Sequence, residues 1–379
     1  MGVTTSVQPR SAYIHVPFCA HRCGYCNFTV TAGRQDLVGL YLEALERELS
    51  WLPSAQPVQT IFVGGGTPTQ LHSTAWRQLL EITTRAFQLE PYGEFSVEAN
   101  PADVDEIKLA DARRFGVTRL SLGVQSFDSR KLQILERDHS PSKILDAARI
   151  AYQHFDNVSL DLIFGVPYET VDAWHEDLQQ AIELAPQHVS TYGLTFEKGT
   201  RFWSRRRLGE LQPPEEDPQR EMYELAMDTL TAAGYEHYEV SNFALPNHRC
   251  RHNEVYWTGG EFYAAGPGAA RFINGCRETN HRSVSTYLKR VLDGESPVAE
   301  RECLDDEAAA RERMIFGLRR LQGIHCEEFE QQTGFSIQSL VESELDKLLQ
   351  LKMLAFTDGR LHLTRAGLLV SDSIWPNLL

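Results

Sequence analysis

The sequence predicts an α/β chain: a partial (β/α)6 barrel, a C-terminal α/β extension, and a small winged-helix-like domain. Two observations carry this. Short apolar runs alternate with amphipathic runs through the first half of the chain, the pattern of βα units on a parallel sheet. Near Leu304 that order gives way to helices followed by a hairpin. The 379 residues exceed what one small core needs, so three ranges are expected: 1–208, 209–300 and 301–379.

Six strands are expected at 13–16, 60–63, 95–98, 119–124, 159–164 and 189–193, each followed by a helix. Leu37, Leu40, Tyr41, Leu45 and Leu52 give the first helix an apolar stripe. Asp103 and Glu106 have capping-box spacing for a later helix, and Gly116 can end it in a left-handed conformation. The polar, proline-rich run 209–218 marks an excursion from the barrel, and a helix over 219–233 follows it. Helices over 311–321 and 337–351, with a hairpin over 356–363 turning at Asp358-Gly359, complete the chain.

Composition excludes several classes. The hydrophobic content of 42% suits a globular core, and no run reaches the roughly 20 apolar residues that span a bilayer. A membrane-bound partner would therefore be met only peripherally. With 37 Lys and Arg against 52 Asp and Glu, the net charge of -15 argues against broad nucleic-acid binding. Residues 323–379 alone hold four basic and eight acidic side chains, so the winged shape is read as packing or partner docking.

The chemistry concentrates in the run Tyr13-Ile-His-Val-Pro-Phe-Cys19-Ala-His-Arg-Cys23-Gly-Tyr-Cys26-Asn-Phe28. Three thiolates on one short loop can hold three irons of a cubane cluster and leave the fourth open. Structural zinc with His15 or His21 is the alternative, although no second cysteine pair follows at useful spacing. Cys250, Cys276, Cys303 and Cys326 stand apart in sequence and read as free, small hydrophobes. No signal peptide precedes the loop and seven cysteines is an odd count, so a reducing, cytoplasmic location is expected.

The Cys-x3-Cys-x2-Cys spacing resembles the radical S-adenosylmethionine superfamily. Tyr-Ile-His-Val-Pro-Phe-Cys and Phe62-Val-Gly-Gly-Gly-Thr-Pro-Thr69 are similar to the branch of oxygen-independent coproporphyrinogen III oxidases and their heme-chaperone relatives. The oxidases carry a fourth cysteine two positions after the third. Here that position is Phe28, which places the chain nearer the chaperones. The resemblance implies a [4Fe-4S] cluster on Cys19, Cys23 and Cys26, S-adenosyl-L-methionine at its open iron, a cellular electron donor, and one-electron chemistry needing no protein base.

Residue by residue, the resemblance implies cofactor contacts from Tyr13, Tyr25, Gly65, Gly66, Thr67, Glu98, Gln125, Arg137, Asp161 and Gly193. A glycine triplet after a strand lets backbone approach a ligand, but it also suits a tight βα turn. Carboxylates suit ribose hydroxyls, and Arg137 suits a carboxylate. His252-Asn-Glu-Val-Tyr-Trp257 is similar to the chaperones' His-Asn-x-x-Tyr-Trp motif, implying heme as ligand, His252 as its axial nitrogen, and a heme-accepting protein as partner. Many relatives have Gly-Pro-Gly-Ala-His-Ser where this chain has Gly266-Pro-Gly-Ala-Ala270-Arg271, leaving His248 and His281 as reserve ligands. The competing expectation is radical decarboxylation of coproporphyrinogen III.

Overall fold

The computed structural model describes residues 8–379. Six strands, β1 (Ser11–Val16), β2 (Gln56–Gly65), β3 (Phe87–Ala99), β4 (Arg119–Gln125), β5 (Val158–Phe164) and β6 (His188–Gly193), pair in parallel and in sequence order. Parallel pairing requires crossovers, which α1 (Val38–Leu49), α2 (Ser73–Ala86), α3 (Glu106–Arg114), α4 (Pro141–His154) and α5 (Val171–Glu183) supply. Near-continuous burial along β5, with only Asp161 partly open, fits a parallel strand covered on both faces.

Three further strands extend the sheet to nine. β7 (Glu236–Glu239) and β8 (Asn242–Ala244) continue it antiparallel beyond β6, and β9 (Tyr263–Ala265) runs parallel beside β1. Residues 236–265 thus extend the main sheet, whereas Ala270–Ile273, Cys276–Asn280 and Val298–Cys303 form a separate three-stranded antiparallel sheet. Between β6 and β7, α6 (Glu216–Ala232) packs back on the sheet, where Trp174 of α5 is fully buried and donates its indole N–H to Met222 O at 2.8 Å.

Local chemistry explains the departures from expectation. In α1 the buried apolar set is Val38, Tyr41, Leu42, Ala44, Leu45 and Leu49, whereas Leu40 lies outside it, exposed. Asp105, not Asp103, caps α3, accepting from Lys108 N at 2.8 Å, while Asp103 closes a preceding 3-10 turn. Gly116 does take the left-handed conformation after that helix, with φ +88°. The reading of Cys276 and Cys303 as free thiols is corrected: they are directly opposed across an antiparallel pair and joined as a disulfide. Twenty-seven residues separate them in sequence, so the contact is invisible to spacing.

Beyond Cys303, α8 (Asp306–Leu318) leads to α9 (Cys326–Thr333) and α10 (Ile337–Gln350), with an antiparallel sheet of Ile324–His325, Leu354–Thr357 and Arg360–Leu363. Leu345, Leu361, Leu368 and Leu378 of this unit belong to one apolar core continuous with the main sheet.

Candidate cluster and cofactor site

The cysteine loop leaves β1 at the carboxyl edge of the sheet. Phe18–Cys19 pairs with Thr31–Ala32, Cys26 N closes a turn on Cys23 O at 3.1 Å, and Phe202 N donates to Gly24 O at 2.9 Å. A Cβ on Gly24 would stand 2.3 Å from the Phe202 ring, so glycine is needed for that approach. Donors face two of the sulfurs: Thr67 Oγ1 at 3.5 Å from Cys19 Sγ, and Arg137 Nη1 at 3.6 Å from Cys23 Sγ. Burial pushes the Cys19 thiol up to about 12 and raises Cys26, so thiolates here need added positive charge, which a bound metal would supply.

Neither histidine offered for zinc is free. His15 Nδ1 meets Tyr13 OH at 2.9 Å and its Nε2 meets Thr29 O at 2.7 Å, while burial lowers its pKa to about 4. His21 turns to Arg201 at 3.2 Å and Glu136 at 3.6 Å. Among the described residues, no three His, Cys, Asp or Glu side chains converge on one metal ion. A cubane asks for something different, since each cysteine meets its own iron.

The loop opens on a cavity of about 950 Å³ at the carboxyl ends of the strands, where α/β sheets collect ligands. Of the expected cofactor residues, Tyr25, Gly65, Gly66, Thr67, Glu98, Gln125, Arg137, Asp161 and Gly193 line it together with all three cysteines. Gln125 has φ +65°, and the β4–β5 register breaks between Leu122 and Gln125. The strain is held by Asp177, which accepts from Ser126 Oγ at 2.7 Å and Phe127 N at 2.6 Å, and from Lys131 Nζ at 2.9 Å.

Arg137 Nη2 donates to Asn100 Oδ1 at 2.8 Å and Gly123 O at 3.0 Å, leaving its buried Nε without a partner among the described residues. Thr191 Oγ1, also on the cavity wall, is equally unpartnered. Buried polar groups are seldom left so, and these fit a polar ligand. Glu98 accepts from Gly65 N at 2.7 Å, and burial followed by the charge of Asp161 raises its carboxyl to about 7 against that bond. Asp161 accepts from Ser121 Oγ at 3.1 Å and is likewise raised by burial. Asn100, which fixes Arg137, was not singled out by sequence, although it lies in the Val-Glu-Ala-Asn-Pro run.

The glycine triplet is first a packing device. Added Cβ atoms would meet Glu98 Oε2 at 2.5 Å from Gly64, the His15 ring at 2.3 Å from Gly65, and Val16 and Phe18 carbonyls at 2.6 Å from Gly66. Gly66 N and Thr67 N donate to those same two carbonyls, each at 2.7 Å, tying the turn to the cysteine loop.

Two expected residues stand off the cavity. Tyr13 is turned to His15, and the ring of His252 is buried between Thr60 Oγ1 and Tyr256 OH, each 2.8 Å from a ring nitrogen. Burial lowers the His252 pKa to about 3. In this arrangement both ring nitrogens of His252 are satisfied by the motif's own tyrosine and a β2 threonine, so an axial role would require one of these bonds to break. The reserve histidines, His248 and His281, do not line the cavity either. The Gly266-Pro-Gly-Ala segment supports the loop instead, with Gly266 N on Glu48 Oε2 at 2.9 Å and Gly268 packed on Thr29.

The Radical SAM superfamily matches residues 13–181, and the HemN C-terminal domain matches residues 304–370. The chain is 35% identical over 373 residues to heme chaperone HemW of Lactococcus lactis subsp. lactis, covering 98% of each chain. The chain belongs to the HemW family. Heme chaperone HemW of Mycobacterium tuberculosis strain H37Rv is 38% identical over 381 residues, with 98% of this chain and 95% of the relative covered. The HemW-family fold is also that of Escherichia coli coproporphyrinogen III oxidase HemN, at a TM-score of 0.85 and 23% identity, covering 98% of this chain and 90% of that one. Among the described residues of this HemW-family chain, no helix is long and apolar enough to cross a membrane.

Proposed function

We propose that this chain is a heme chaperone, binding heme and handing it to an acceptor protein. The observation that carries the reading is its likeness, over 98% of both chains, to a relative described as a heme chaperone. Phe28 agrees with it: this ring stands 64% exposed at the cavity mouth, at the position where the oxidases have a fourth cysteine. The finer architecture belongs to the same reading, with β1 to β6 as a partial barrel and the C-terminal helices and hairpin as a winged-helix-like unit.

Within it, Cys19, Cys23 and Cys26 hold a [4Fe-4S] cluster, and S-adenosylmethionine lies against the Gly65–Thr67 turn, with Tyr25, Glu98, Gln125, Arg137, Asp161 and Gly193 around it. Bound there, cluster and sulfonium supply one-electron chemistry, with electrons from a cellular donor. The chain's own residues orient and shield: Arg137 offers a buried cation, Asp161 an acceptor for hydroxyls, and the cavity wall limits solvent. The acceptor docks on a surface lacking the positive charge nucleic acid requires.

The test is anaerobic. Cluster-loaded protein is titrated with heme and mixed with a heme-requiring apoprotein, and a parallel sample receives coproporphyrinogen III, S-adenosylmethionine and reductant. Heme binding and transfer are expected, without protoporphyrinogen IX. Formation of protoporphyrinogen IX overturns the assignment in favour of the oxidase.

A further inference from the structure

The wall of the cavity includes residues from far along the chain, among them Tyr223 of α6, Arg319 just after α8, and Leu368 and Val370 of the C-terminal unit. Arg319 is unusual there. Its backbone is pinned by Val240 N, which donates to Arg319 O at 3.1 Å, and its guanidinium lies over the Trp257 ring, 4.6 Å from the centroid. Trp257 closes the His-Asn-Glu-Val-Tyr-Trp motif on α7 (Arg251–Trp257), so the motif holds this arginine in place. Yet Arg319 Nε is buried with no hydrogen-bond partner among the described residues.

The other arginines of the wall each have a partner, Arg22 through Cys26 O at 3.4 Å, although Arg137 shares the unpartnered Nε. Arg220 is 3.7 Å from Asp217, and Arg137 is bonded to Asn100 and Gly123. Glu239 acts electrostatically on Arg319, but Glu239 Oε2 is itself unpartnered and no ion pair joins the two among the described residues. Glu216, Asp217 and Asp372 also face the cavity, which makes an anion welcome only where a free cation receives it. Close by in the fold, Phe164 and Tyr223 stack with centroids 6.1 Å apart and planes 6° from parallel. Leu368 and Val370 add apolar surface to the same cavity.

We infer that Arg319, braced on Trp257, receives a carboxylate of a planar apolar ligand whose ring lies along Phe164, Tyr223 and the Leu368–Val370 segment. Resting on the heme-chaperone reading, this assigns the carboxylate to a heme propionate. A guanidinium pairs well with a carboxylate, and flat aromatic walls suit a macrocycle. The motif thereby serves heme through its tryptophan and the arginine that it braces.

Full-length protein is titrated by absorbance with heme and with heme dimethyl ester, whose propionates carry no charge, for the wild type, Arg319→Gln and Arg319→Lys. Wild type should bind heme roughly ten- to a hundred-fold more tightly than the ester, a charge-assisted bond's share of affinity. Arg319→Gln should lose that preference and keep ester affinity, and Arg319→Lys should retain part of it. Equal wild-type affinity for heme and ester overturns the inference without any variant, as does an Arg319→Gln protein that keeps the preference. S-adenosylmethionine also carries a carboxylate: if Arg319→Gln abolishes its effect on the reduced cluster's paramagnetic spectrum while heme preference persists, the arginine serves that cofactor instead. Wild type that binds neither porphyrin sinks the chaperone reading itself, a separate outcome.

Discussion

Glu239 shows what one buried carboxyl does to stability. It is fully buried, accepts from Ser241 N at 3.3 Å and from Asn242 Nδ2, and burial raises its pKa to about 7. The unfolded carboxyl ionises near 4.5, so between the two values the folded state holds the extra proton and stability falls as pH rises. The penalty is small below the lower value and complete above the upper one. Glu239→Gln, which keeps an acceptor and removes the charge, should gain on the order of 3 kcal/mol over wild type at pH 8 and under about 1 kcal/mol at pH 5. Urea unfolding at both pH values measures this, and an equal gain at the two would show that ionisation is not the cause.

Among elements, the turn after β2 couples sheet to cysteine loop through contacts that leave no space. Gly65 has φ +101° and the His15 ring where a Cβ would go, so Gly65→Ala should lose on the order of 2–4 kcal/mol. Gly193 differs, its added Cβ meeting Phe164 at an ordinary 3.4 Å. Gly193→Ala should unfold within about 0.5 kcal/mol of wild type, and a cofactor-binding loss there would report on the ligand rather than the fold. The Cys276–Cys303 crosslink makes a third expectation. Cluster-free protein purified without reductant and then denatured should alkylate at Cys19, Cys23, Cys26, Cys250 and Cys326 only, and at all seven cysteines after reduction, as mass spectrometry reads out. Labelling of Cys276 before reduction would exclude the crosslink.

For the whole molecule, the question is what keeps the C-terminal unit against the cavity. Arg365 forms a two-bond ion pair with Asp228 of α6 at 2.6 and 2.8 Å, but the two side chains are 51% and 64% exposed. Exposed pairs contribute little, whereas Leu368, Ile374 and Leu378 are buried in the shared core. A double-mutant cycle on Arg365 and Asp228 should give a coupling under about 1 kcal/mol, and Leu368→Ala should cost about 2–4 kcal/mol. A coupling near the leucine's cost would reverse that ranking. Because Leu368 also lines the cavity, the heme-chaperone proposal expects its removal to weaken heme binding and to leave the iron-sulfur absorbance of reconstituted protein unchanged.

The six parallel strands were legible in the chain because apolar runs and intervening helices are local signals, and so was the three-cysteine loop, whose spacing is confined to eight residues. Glu98, Gln125 and Gly193 share the cavity edge because strand ends in an ordered parallel sheet lie along one edge. Tertiary structure alone decided the rest. Whether His252 faces a ligand or the core depends on Thr60, 192 residues earlier. Cys276 meets Cys303 through strand register, and Arg319 reaches the cavity because α7 and α8 pack together. Such contacts are chosen by the folding of distant segments onto a common core, and no pattern in either segment encodes its partner.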